Sequence, residues 1–167
     1  MGLIACYMEA DAAIVNELKQ RPSEERFEYL EELEEDGVQE VFDMDKMWDA
    51  VHYLLTVERS LHLCKKDLLS EAIFGHSILE EEEGILSYST FEQVALMVEE
   101  LDKVDTKTVF EHFDPKALKK QGVYPDIWLT VDKEEVAKEM IAAFHGLRAF
   151  YHQMAEKKKM VIVSICG

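Results

Sequence analysis

Both ends of the chain are apolar. The run Gly2-Leu3-Ile4-Ala5-Cys6-Tyr7-Met8 reads as a buried strand that begins almost at the first residue. The run Met160-Val161-Ile162-Val163-Ser164-Ile165-Cys166 is nearly all apolar and β-branched, the mark of a strand covered on both faces. Such strands belong inside a sheet, with helices above and below. Two of them at opposite termini unite the ends of the chain and argue against splitting residues 1–167 into separate domains. The expected fold is α/β or α+β, a single domain with a mixed central sheet containing both terminal strands and flanked by helices.

Helical patterns fill the interval. Asp11 can cap a short helix carrying Ile14 and Leu18. Residues 24–35 are strongly acidic, with Phe27, Leu30 and Leu33 at helical spacing, and Asp36-Gly37 ends them in a turn. Residues 38–42 alternate loosely and predict a short strand or an extended lead-in. Asp67 caps a short helix over 68–74 that Gly75 stops. Residues 75–84, with four adjacent acids at Glu80, Glu81, Glu82 and Glu83, read as an exposed loop, and 85–88 as a brief extended segment. Ser89 with Glu92, or Thr90 with Gln93, forms a capping box. The helix behind it has Phe91, Val94, Val98 and Leu101 on its apolar face. Short helical turns follow at 106–112 and 115–120, then the aromatic loop 122–128. Asp132 and Glu135 open the longest helix, where Val136, Met140, Phe144, Leu147, Tyr151 and Met154 step by threes and fours.

The stretch with the most chemistry is Asp43-Met44-Asp45-Lys46-Met47-Trp48-Asp49-Ala50-Val51-His52-Tyr53-Leu54. Trp48, Val51, His52 and Leu55 fall on one helical face. Asp45 is positioned to cap this helix, and Asp49 sits near its positive end. The helix is expected to end between residues 56 and 60. Most of this pattern is what a capped core helix needs. The functional alternative is a polar pocket floor in which Asp49 or Asp45 orients His52 as a general base.

Charge narrows the partners. With 35 acids against 18 basic residues the formal net charge is -17. That repels nucleic-acid phosphates and anionic membranes, and fits a basic protein partner or simple solubility. Cys6, Cys64 and Cys166 are odd in number and lack metal-site or disulfide spacing, which points to a reducing cytoplasm. The N-terminus lacks the basic region and long apolar core of a signal peptide. No apolar run approaches a membrane span.

Motifs for nucleotide binding, the nucleophile elbow and HExxH zinc ligation do not occur, and nothing calls for a cofactor or a metal. Cys6 and Cys166 are expected to be inert core thiols, and Cys64 the exposed one. His145, Arg148 and His152 share one face of the long helix, where an anion could lie. Tyr88, Tyr124, Trp128 and Tyr151 could rim a cleft, since tyrosine and tryptophan offer apolar area with a polar handle.

These residues also carry a resemblance. The opening Gly2-Leu3-Ile4-Ala5-Cys6-Tyr7, the segment from Asp45 to Leu55, Ala72-Ile73-Phe74-Gly75, Tyr124-Pro125-Asp126-Ile127-Trp128, Phe150-Tyr151 and Val161-Ile162-Val163 are similar to the YfbM-like family. These are uncharacterised bacterial proteins carrying the domain of unknown function numbered 1877. The tryptophan-and-histidine segment is the most specific of these. The resemblance implies a compact α/β domain of the bacterial cytoplasm with no established activity, so it brings no catalytic residues. The glutamate run at 80–83 is more acidic than the family's loop.

The expected function is an acidic accessory or interaction domain without assignable catalysis. Its candidate surface comprises Lys46, Trp48, Tyr88, Tyr124, Trp128, His145, Arg148 and His152, centred on a cleft between the Trp48 helix and the 124–128 loop. One alternative is a small-molecule-binding or hydrolytic enzyme using His52 with Asp45 or Asp49, its ligand unknown. The other is an inhibitor that mimics nucleic-acid charge, which needs acids arrayed on one exposed surface.

Overall fold

The two terminal runs pair with each other. In the computed structural model, which describes residues 2–56 and 67–167, β1 (Ile4–Ala10) lies antiparallel to β5 (Met160–Cys166) along its whole length. β2 (Val41–Asp45) is added outside β1, and β4 (Ile85–Ser89) and β3 (Ser77–Glu80) outside β5. The order is β2-β1-β5-β4-β3, so the terminal strands occupy the interior. The mixed sheet expected from sequence is antiparallel at every pairing. Apolar runs report burial on both faces and carry no information on direction. Beyond residue 56, the expected end of the Trp48 helix between residues 56 and 60 and the expected exposure of Cys64 fall outside the described residues.

Side chains alternate across the sheet and divide the core in two. On one face Met8, Leu86 and Ile162 pack under α1 (Ala12–Gln20) and α2 (Ser23–Asp36), meeting Ile14, Val15, Leu18 and Leu30. On the other face Tyr7, Val161, Val163 and Ile165 meet the larger cluster. That cluster is built from α3 (Trp48–Thr56), α4 (Leu68–Phe74), α5 (Phe91–Asp102), α6 (Thr106–Phe110), α7 (Pro115–Gln121) and α8 (Lys133–Lys157).

The capping signals are used. Asp11, Asp67, Asp105, Asp114 and Asp132 each accept a hydrogen bond from a backbone N–H in the first turn of the helix they precede. Of the two capping boxes possible near residue 90, Thr90 with Gln93 forms, because Ser89 is taken into β4. Phe91 then falls outside the core and is 43% exposed, while Val94, Met97 and Leu101 make the buried face. Two phenols fix α4 from the core side. Tyr7 donates to Ile73 O at 3.0 Å and Tyr151 to Ala72 O at 2.7 Å. Burial pushes both phenols well above their ordinary pKa, so they remain donors.

Candidate functional site

The Trp48 segment is a structural junction. Asp45 does not cap α3: it ends β2 in a left-handed conformation (φ 55°), exposed, with its N–H held by the Asp43 carboxylate. The chain needs that bend to turn from strand into helix, and short polar side chains tolerate it. Trp48 is 1% exposed, donates its indole N–H to Leu3 O at 3.1 Å, and packs against Phe74 and Tyr124. Asp49 is also buried, and its Oδ2 accepts the Tyr124 N–H at 2.7 Å. The expected cleft between this helix and the aromatic loop is therefore filled by direct packing.

His52 is 0% exposed, with Nε2 at 2.7 Å from Ser70 Oγ and its ring edge-on to Phe74. A general base needs a concave, reachable setting. This histidine is sealed in the core instead, and Asp45 lies outside on the surface.

The proposed surface residues fall in separate places. Lys46 and Tyr124 converge over Gly2, beside Trp48. Trp128 is buried, donating to Val123 O at 2.7 Å and packing edge-on to Phe113. Tyr88 belongs to the α1–α2 side, where the Lys19 ammonium lies 4.5 Å from its ring centroid and lowers its phenol pKa through a hydrogen bond. His145, Arg148 and His152 do share the outer side of α8. Arg148 donates to His145 Nδ1 at 2.9 Å, and His152 Nε2 pairs with Asp102 of α5 at 2.7 Å. His152 is therefore already paired with a carboxylate.

The larger polar feature is an acidic surface assembled from two separate runs. Eight of the fourteen residues of α2 are acidic, and all eight are exposed. Its one basic residue, Arg26, is turned inward. The guanidinium donates to Leu18 O at 3.0 Å, Arg21 O at 3.2 Å and Leu79 O at 2.8 Å. The run at 80–83 is fastened alongside. Residues 77–80 form β3 rather than an exposed loop, and Glu80 is 8% exposed. Its carboxylate accepts from Ser23 Oγ and from the N–H groups of Glu81 and Glu82. Gly84 approaches Phe27 of α2 so closely that a Cβ there would stand 3.3 Å from its ring. Glu81, Glu82 and Glu83 therefore lie exposed beside α2. They border a groove of about 290 Å³ that reaches Leu3 and the edge of Trp48.

Sequence reasoning missed the parts that build this surface, Ser23, Arg26 and the buried Glu80. A lone arginine inside an acidic helix was the available signal. Cys6 and Cys166 are half-buried rather than core-enclosed, because both face α2 near the open end of the sheet. Among the described residues no group of three or more His, Cys, Asp or Glu side chains is arranged to hold a metal ion. No described helix is long and apolar enough to cross a membrane.

A protein from Escherichia coli strain K12, Protein YfbM, is 24% identical over 169 residues, with all of both chains covered. A crystal structure described as a protein of unknown function, YfbM from Escherichia coli, shares the fold with a TM-score of 0.75 at 23% identity. That match covers 97% of this chain and 99% of that one. The model of the domain of unknown function DUF1877 matches residues 1–164, and the chain belongs to that family.

Proposed function

We propose that this protein is a non-catalytic interaction domain, and that α2 with the adjoining acidic turn receives a basic segment of a partner protein. The observation that carries this reading is a local rule broken without structural return. The last turn of α2 contains Glu34, Glu35 and Asp36 and no basic residue. Acids there oppose the helix dipole by about 0.3–1 kcal/mol each. The like-charge pairs Glu24–Glu28, Glu28–Glu32, Glu31–Glu35 and Glu32–Asp36 are spaced four apart, each costing about 0.2–0.5 kcal/mol. Positions that work against their own element are where function is expected to be found.

Glu28, Glu32 and Glu35 lie on the side of α2 opposite Leu30, so they test the surface without touching the core. Proteins retained from a bacterial lysate by the wild type should be basic. They should be lost with the triple variant Glu28→Gln, Glu32→Gln, Glu35→Gln. They should persist with Glu92→Gln, Glu99→Gln, Glu139→Gln, which removes the same charge from α5 and α8. Equal loss with both variants would reduce the effect to net charge and remove the reading.

A second reading is favoured by the same array of exposed acids along one helix, the arrangement that charge mimicry of nucleic acid requires. In that case the retained proteins bind nucleic acid, and duplex DNA competes for them. Retained proteins that DNA does not displace would exclude it.

A further inference from the structure

α2 does not close over the whole sheet. Beneath its C-terminal half a cavity of about 140 Å³ opens between the helix and strands β1 and β5. Met8, Phe27, Leu30 and Ile162 line it with apolar surface, and the thiols of Cys6 and Cys166 lie beside them. Glu31 and Glu34 stand at its rim. Strand register explains the thiols. Cys6 is opposite Ser164 and Ile4 is opposite Cys166, so the two cysteines are diagonal neighbours on the face that α2 covers. A diagonal pair is about 7–8 Å apart, beyond the ~6.8 Å Cα separation that a disulfide spans.

Size, polarity and field then specify what fits. An apolar cavity of about 150 Å³ takes one benzene, so this one suits a chain of about six heavy atoms. Among the described residues that line it, none is Lys or Arg. Burial and the neighbouring carboxylates both act on the thiols. Cys6 is pushed up to about 12, first by burial and then by Asp43 and Glu34. Cys166 is raised by burial and then by Glu31. The carboxylate part of these shifts attracts a cation by the same Coulomb interaction, whereas burial, the larger part, penalises any charge, so a cation is favoured at the exposed Glu31–Glu34 rim and not in the cavity's depth.

We infer that this cavity binds a primary ammonium on a short aliphatic chain. The ammonium sits at the Glu31–Glu34 rim and the methylenes lie against Met8, Phe27, Leu30 and Ile162. A free alkylamine and a lysine side chain share this chemistry. The site goes beyond the docking of a basic partner and stands without it, because the outward acids Glu28, Glu32 and Glu35 are not among its lining residues.

The test follows the Met8 methyl resonance in protein labelled at the methionine methyls. Pentylammonium should shift it saturably, with a Kd on the order of millimolar for a ligand of six heavy atoms. 1-Pentanol should bind about tenfold more weakly, and pentanoate should leave the resonance unmoved. The exposed double variant Glu31→Gln, Glu34→Gln should weaken pentylammonium about fivefold. A blocked Gly-Lys-Gly peptide distinguishes the sources. Binding as tight as pentylammonium assigns the site to a lysine side chain, and no binding assigns it to a free amine. Pentanol binding as tightly as pentylammonium, or no shift with pentylammonium at tens of millimolar, would overturn the inference. Loss of partner retention in the Glu28, Glu32, Glu35 variant is a separate result and leaves this one standing.

Discussion

Trp48→Ala should lower the unfolding free energy by about 3–5 kcal/mol, measured by urea denaturation. The indole is 1% exposed and packs between Phe74 and Tyr124, so its removal opens a cavity where α3 meets the aromatic loop. The loss also leaves the Leu3 carbonyl without the indole donor that now reaches it at 3.1 Å. Domains are stable by only about 5–15 kcal/mol, so this change removes a large fraction of the total. A loss below about 1 kcal/mol would mean that Trp48 is not a core anchor. The functional reading of the segment would then return.

The same residue shows how far the sequence could be read. Helical spacing put Trp48, Val51 and His52 on one face, and that face is buried. Periodicity could not say what covers it. The cover is α4, whose Phe74 meets Trp48 and His52 and whose Ser70 meets His52, together with the chain at residue 124, which meets the Asp49 carboxylate and the Trp48 ring. A pocket floor and a packed joint have the same pattern until the opposing chain is seen. Both terminal strands were legible, since an apolar run reports its own burial. Their antiparallel direction was not, because direction depends on the connections between strands. The glutamates at 80–83 mask β3, and Glu80 reads as one exposed acid of that run although it is buried. Its burial depends on Ser23 and Arg26, which belong to another run. The acidic surface was therefore half visible: the charge was plain, and the joining of its two parts was not.

Gly75→Ala should cost about 3 kcal/mol in the same measurement. Gly75 ends α4 at φ 81°, ψ 167°, a region almost confined to glycine, where another residue costs about 1–3 kcal/mol. A Cβ there would also overlap Ser87 Oγ. That hydroxyl donates to Phe74 O in the core, and moving it leaves a buried carbonyl unsatisfied, worth about 1–3 kcal/mol. Ser87→Ala in the Gly75→Ala background should recover only the overlap. A Gly75→Ala protein as stable as the wild type would mean that the turn after α4 accommodates a side chain and does not hold the register between α4 and β4.

The claim that α2 bears its acids at the expense of its own stability is tested most directly by urea denaturation of the double variant Glu35→Lys, Asp36→Lys. Lysines there complement the dipole and gain favourable partners four residues back, at Glu31 and Glu32. The variant should be more stable than the wild type by about 1–2 kcal/mol. Stability equal to or below that of the wild type would contradict the account. The acids would then support the helix, and the surface would have no claim to a binding role.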